Sequence, residues 1–257
     1  MPLLEKREDG RAYLPGSEKP VAIILDLDET VISNSGFQAF MATSGAEYSY
    51  QLWDAWVDFQ AINKAAGAAV PGAVDFLAAV KDMGVTPIFI SNRRVGQEEG
   101  TIKTMERLGI DVENIEQRLF LKPSQQLLEE QNRARIAKEG LAPGSVSARQ
   151  LLEGEGEKEA RRRMMQDKYD VVAYFGDVYG DFEPFLEMAE SSKELYQQRQ
   201  EAAEEHHFNW GSVWFILPNP MYGSWSVEKA VPKDGIDSAL NDYGFSVYLR
   251  GRRALKK

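Results

Sequence analysis

Four carboxylates stand out by their spacing. Asp26 and Asp28 are two positions apart in Asp26-Leu27-Asp28-Glu29-Thr30, and Asp177 and Asp181 are four apart in Gly176-Asp177-Val178-Tyr179-Gly180-Asp181. Side chains two apart on extended backbone point the same way, so both members of the first pair can line one pocket. Such a pair suits phosphoryl transfer. One carboxylate attacks phosphorus while its neighbour, kept protonated by like-charge coupling, gives the departing alcohol a proton. Acids four apart share a face of one helical turn. Mg²⁺ takes hard oxygen ligands, keeps waters and needs only one or two protein carboxylates. Asp177 is therefore the candidate direct ligand, with Asp181 binding directly or through water. A third cluster, Ser91-Asn92-Arg93, offers a hydroxyl and a nearby backbone amide to phosphate oxygens. Asn92 and Arg93 are candidate substrate contacts beside it. Each cluster alone reads as readily as a polar surface turn.

What gives the clusters weight is what precedes them. VAIIL (Val21 to Leu25) runs into Asp26, PIFI (Pro87 to Ile90) into Ser91, and VVAYF (Val171 to Phe175) into Gly176 and Asp177. Short continuous apolar runs suit parallel strands buried on both faces. Helical patterns lie between them. Pro71-Gly72 opens one, with Val74, Leu77 and Ala78 on a common face, and Gly84 closes it; another carries Ile102, Met105 and Leu108 and stops at Gly109. The alternation predicts an α/β fold, a Rossmann-like parallel sheet flanked by helices, with ligands at the carboxyl edge of the strands. All three clusters belong at that edge. The chain reads as a single domain over 1–257. It carries a small aromatic-rich helical cap at 38–70, after the first strand, and a Glu-, Gln- and Arg-rich helical insertion at 123–156. Ser191 to His207 reads as one more polar helix, on which adjacent His206 and His207 point apart and stay at the surface.

The composition excludes several roles. A net charge of −10 leaves no basic stripe for a nucleic-acid backbone. The chain has no cysteine, hence no disulfide framework and no thiolate metal site. No apolar stretch approaches the roughly 18 residues of a membrane span. The first residues, MPLLEKREDGRAYLPGSEKP, lack a signal-peptide pattern, so the chain as written reads as cytoplasmic.

ILDLDETVISNS, VPGAVDFL, FISNRR, YFGDVYGDF and LPNPMYGSW resemble, in order and spacing, the signatures of the haloacid dehalogenase-like superfamily. Within it they are similar to the class C acid phosphatases, which include bacterial lipoprotein 5′-nucleotidases. The resemblance runs from about Val21 to Trp225. It implies Asp26 as nucleophile and Asp28 as general acid and base. It further implies Mg²⁺ held by Asp26, the Asp28 backbone carbonyl and Asp177, and Ser91 as the phosphate-binding hydroxyl. The lysine that neutralises the nucleophile falls on Lys158, with Lys122 in LFLKPS as the alternative because an insertion separates the two segments. Trp53 and Tyr222 match a pair of aromatics that clamp a substrate base, though Trp53 and Trp56 at three-residue spacing would also pack a cap. The expected activity is hydrolysis of nucleoside 5′-monophosphates or nicotinamide mononucleotide through an aspartyl-phosphate. The alternatives are a broad acid phosphatase without base recognition and a non-catalytic binding or storage protein on the same fold. The expected partner is a small phosphomonoester, with a homodimer allowed. The resemblance also implies the periplasm or cell envelope.

Overall fold

The computed structural model describes residues 4–44, 48–63, 66–123, 137, 158–182 and 192–219. In chain order these hold β1 (Glu5–Lys6), β2 (Ala12–Tyr13), β3 (Val21–Leu25), β4 (Ile32–Ser33), α1 (Ser35–Ser44), α2 (Tyr50–Ile62) and β5 (Ala68–Ala69). Then come α3 (Ala73–Asp82), β6 (Thr86–Arg94), α4 (Glu98–Arg107), β7 (Leu119–Lys122), α5 (Glu159–Lys168), β8 (Asp170–Gly176), α6 (Ser192–Glu205) and β9 (Trp214–Ile216). The insertion expected over 123–156 lies outside the described residues apart from 123 and 137, and so does Tyr222. The chain divides into two compact units. One is Met1–Leu186 with Asn209–Pro218; the other, Glu187–Phe208 with Asn219–Lys257, holds α6.

The run VAIIL makes the central strand for the reason its composition suggests. Val21, Ile23 and Leu25 join one core cluster while Ala22 and Ile24 join another, so β3 is buried on both faces. Each fully buried aliphatic side chain contributes roughly 1.5–3 kcal/mol by leaving water. Leu77 and Val80 of α3 and Met105 of α4 cover the first face; Met165 of α5 covers the second. The five strands run in the order β7-β6-β3-β8-β9, and every pairing is parallel. The fold is thus the α/β, Rossmann-like arrangement expected. Leu25 pairs with Phe89 on one side and Phe175 on the other, which brings the tips of the three anticipated strands level. The strand containing PIFI runs on through Arg94, so Ser91, Asn92 and Arg93 belong to β6 itself, alternating buried, exposed, buried.

Between β3 and α3, where the sequence suggests a cap, the chain detours through β4, α1, α2 and β5. β4 and β5 pair antiparallel, Ile32 with Ala69 and Ser33 with Ala68, so it leaves and rejoins the core at neighbouring points. Ser49 caps the start of α2, its hydroxyl accepting from the Leu52 amide (3.2 Å). Phe37 of α1 packs edge-on against Trp53 (5.2 Å between centroids) and tilted against Trp56 (5.7 Å). Arg107 of α4 reaches across to the carbonyls of Gln60 (3.1 Å) and Ala66 (2.7 Å) and fastens the end of α2 and the segment after it to α4. Gly84 ends α3 with φ +78; a Cβ there would lie 2.5 Å from the Gly10 carbonyl oxygen. Only glycine fits that closure.

Candidate active site

Three of the four spaced carboxylates meet at the level strand tips. Asp26 follows β3 directly, and its amide still donates to Phe175 of β8 (2.9 Å), so its side chain is carried to the middle of the carboxyl edge. Leu27 turns into the core, and Asp28 lies near enough to Asp26 to add to the negative charge it feels. Beyond β8 the chain makes a short 3₁₀ turn over Tyr179–Asp181 rather than the α-helical turn inferred from spacing. That turn folds Asp181 back: its Oδ2 accepts from the amides of Asp177 and Val178 (3.0 Å each). Gly176 makes room for this, since a Cβ there would lie 2.3 Å from the Asp181 Cβ. One carboxylate oxygen each from Asp26, Asp177 and Asp181 lie within 4.8 Å of one another.

Lys158, just before α5, is buried among them. Its ammonium donates to Asp26 Oδ1 and to Asp181 Oδ1 (2.6 Å). Lys158 is therefore the lysine that meets Asp26, while Lys122 stands at the end of β7, with β6 between it and β3. Burial drives the Asp26 carboxyl well above its ordinary range; Lys158 opposes this, and Asp181, Asp177 and Asp28 add to it. Burial alone would lower Lys158, but Asp181 and Asp26 outweigh it and hold the ammonium above its usual value. Three carboxylates against one ammonium leave a formal −2, and a hard divalent cation fits that all-oxygen donor set. Asp181 already accepts three hydrogen bonds, which suits it to holding Lys158 and the turn.

Asp28 lies in a different setting. Arg93 grips its carboxylate through Nη2 (2.9 Å) and Nε (3.1 and 3.2 Å), and Asn34 donates to Oδ1 (2.8 Å). The sequence pictures Asp28 beside a like charge; the structure surrounds it with donors. Arg93 Nε and Nη2 bond Asp28, Nη2 also bonds Gln60 and Nη1 bonds Thr101, so its guanidinium is turned to protein partners rather than standing open as a substrate contact. Ser91 is fully buried, its Oγ accepting from the Arg93 amide (3.1 Å), which leaves its own hydroxyl proton to donate. Asn92 is exposed, and its Oδ1 accepts from Arg161 (3.1 Å). Trp53 is half-buried, with Arg93 5.9 Å from its ring centroid.

Several site residues had no clear signal in the sequence. Arg161 donates to the carbonyls of Ser91 (2.6 Å) and Phe120 (2.9 Å), and Arg162 to that of Gly180 (2.7 Å). With Lys158, the start of α5 ties together Asp26 after β3, Ser91 of β6, Phe120 of β7 and the turn after β8. Asn34, Gln60 and Thr101 also belong to the site's frame. Glu29 occupies left-handed backbone (φ 59) immediately after Asp28, a strain that two bonds from Asn34 to its carboxylate (2.7 Å each) offset.

Residues 4–142 and 145–225 match the family described as HAD superfamily, subfamily IIIB (Acid phosphatase). The chain belongs to that family. Among solved structures it is similar to the class C acid phosphatase from Bacillus anthracis, with 34% identity over 84% of this chain and 72% of that one, and a TM-score of 0.60. The same enzyme with tungstate bound aligns at 32% identity over 85% and 76% of the two chains, with a TM-score of 0.61. As a subfamily IIIB acid phosphatase, the protein is a phosphoric monoester hydrolase.

Proposed function

We propose that the protein hydrolyses nucleoside 5′-monophosphates or nicotinamide mononucleotide by way of a phospho-Asp26 intermediate, with Mg²⁺ as cofactor. The observation that carries this reading is the Asp26 carboxylate at the strand tip, bonded to Lys158 and grouped with Asp177 and Asp181. Asp26 attacks phosphorus and the ester oxygen leaves on the opposite side, taking a proton from Asp28. Asp28 then removes a proton from water, and the hydroxide opens the acyl phosphate to regenerate Asp26. Lys158 keeps the nucleophile from repelling the incoming phosphate, and the Ser91 hydroxyl donates to a phosphoryl oxygen. Asp26, Asp177 and the Asp28 carbonyl would hold Mg²⁺, which supplies Lewis-acid charge neutralisation when bound. The tungstate bound by the Bacillus anthracis relative supports the reading, since tungstate is a tetrahedral oxyanion like phosphate.

The test is Asp26→Asn with acid-quench mass spectrometry on the wild type. Turnover should vanish in the variant while its melting transition survives, and the wild type should trap one phosphoryl group on the peptide containing Asp26. Full activity in Asp26→Asn ends the proposal.

A second reading, a broad acid phosphatase indifferent to bases, draws support from Trp53, which packs edge-on against Phe37 and over Arg93. Trp53→Ala should weaken kcat/KM for a mononucleotide about 10-fold or more relative to a sugar phosphate if the ring stacks on a base. Equal losses on both favour the broad enzyme.

A further inference from the structure

Asp28 closes a ring of hydrogen bonds that reaches into the cap. Arg93 Nη2 donates to Asp28 Oδ1 (2.9 Å) and to Gln60 Oε1 (2.9 Å). Gln60 Nε2 donates to Asn34 Oδ1 (2.8 Å), and Asn34 Nδ2 returns to Asp28 Oδ1 (2.8 Å). Asn34, Gln60 and Arg93 are all buried, so no solvent substitutes for a missing partner. The direction of each bond is forced. A guanidinium has only donors, so it must face the Gln60 carbonyl oxygen, which turns the Gln60 amide nitrogen toward Asn34. The Trp56 indole, also a pure donor, meets the same Asn34 oxygen (2.9 Å) and turns the Asn34 amide nitrogen toward Asp28. Thr101 receives Arg93 Nη1 (3.2 Å) and passes its own proton to the Gln97 carbonyl (2.8 Å). Neither amide can flip without orphaning buried groups.

The ring is asymmetric at Asp28. Oδ1 receives both ends of it, whereas among the described residues Oδ2 receives only Arg93 Nε, at 3.2 Å. Oδ2 is the oxygen left to carry a proton to a leaving group. Two of the supporting side chains, Trp56 and Gln60, stand on α2 of the cap, outside the sheet that carries the reacting acids.

We infer that Asn34, Gln60 and Arg93 are positioning residues through which the cap fixes the direction of the Asp28 carboxylate, and so the oxygen that serves the leaving group. The inference rests on the reading of Asp28 as the proton donor. It differs from a role in folding alone by a kinetic signature. An ester whose alcohol departs as a poor anion needs that proton; a nitrophenyl ester hardly does.

The experiment compares kcat/KM, which reports steps through the first irreversible one, for ethyl phosphate and p-nitrophenyl phosphate in the full chain with Mg²⁺. Asp28→Asn should lose about 10²- to 10⁴-fold on the ethyl ester and far less on the nitrophenyl ester. Gln60→Met and Arg93→Met should each lose roughly 10- to 100-fold more on the ethyl ester than on the nitrophenyl ester. In an Asp28→Asn background, Gln60→Met should leave that ratio unchanged, because the acid it orients is gone. Gln60→Met keeps the side-chain volume and carries the test if Arg93→Met does not fold. Equal losses on both esters in Gln60→Met, while Asp28→Asn still discriminates, overturn the inference alone. If Asp28→Asn does not discriminate, the reading of Asp28 as acid falls first and the inference with it.

Discussion

Gly176→Ala should damage the site without touching any reacting group. An alanine Cβ at 176 would lie 2.3 Å from Asp181 Cβ and Oδ2 and 2.5 Å from Cγ, where carbon atoms at rest stand about 3.5–4.0 Å apart. Asp181 must therefore retreat by about 1.2 Å or more. Its bonds from the Asp177 and Val178 amides, 3.0 Å each, would stretch past hydrogen-bonding range, and its 2.6 Å bond from Lys158 would be disturbed with them. Overpacking costs about 1–3 kcal/mol, and two amides lose their acceptor, so a total near 3 kcal/mol is expected. Misplacing Lys158 by about 1 Å should lower kcat/KM roughly 100-fold. Urea melts and phosphate-release kinetics measure the two effects. The decisive comparison uses an Asp181→Gly background, which removes the clashing Cβ; there Gly176→Ala should cost less than about 0.5 kcal/mol. Gly84→Ala, strained at φ +78 but near no catalytic group, should lower stability while leaving kinetics alone. Equal cost of Gly176→Ala in both backgrounds, or wild-type behaviour in the single variant, would refute the packing argument.

Two further outcomes follow from the buried charges. Lys158→Met leaves Asp26 and Asp181 without their shared cation, so it should cost about 3–5 kcal/mol of stability and most of the turnover, read by melts and steady-state rates. Burial, reinforced by Asp181, Asp177 and Asp28 against the pull of Lys158, raises the Asp26 carboxyl. The cation-free fold thus keeps a proton that the unfolded chain releases, an advantage present at low pH and lost as pH rises through the raised value. A divalent cation competes with that proton, so the rise in Tm on adding Mg²⁺ should be larger near about pH 7 than near about pH 5. A pH-independent shift would contradict it.

The sequence made the middle of the sheet legible and its margins obscure. VAIIL, PIFI and VVAYF are long enough to declare buried strands, and the acids after them inherit a common edge. LFLK and WFI, now β7 and β9, are too short for their period to separate from noise. The charged stretch from Pro123 to Lys168 reads as solvated helices, because composition cannot reveal that Arg161 and Arg162 are buried against carbonyls supplied from distant segments. Spacing suggested a helical turn for Asp177 and Asp181; the turn is tighter because Asp181 caps the amides of 177 and 178. Gln60 gave no warning at all, and Asn34 none beyond its place in ILDLDETVISNS. Neutral amides acquire their meaning only from the partners a fold brings to them.

The charge balance explains how a chain of net −10 can serve a phosphate substrate, and it makes a last demand. Around the strand tips, Asp26, Asp28, Asp177 and Asp181 face Lys158 and Arg93, leaving a formal −2 before any substrate arrives. Arg161 and Arg162 are close, but several of their donors are already turned to backbone carbonyls. At about 4 Å and an effective dielectric near 20, each uncompensated unit charge opposes each charge of a phosphate by roughly 4 kcal/mol. A divalent cation cancels that formal excess, so it should govern ground-state binding as well as chemistry. Calorimetric titration of inorganic phosphate should therefore find strong binding with Mg²⁺ and weak or no binding in EDTA. Equal affinity in both would mean that the protein's own cations suffice, and that the carboxylates at the strand tips are neutralised by some other means.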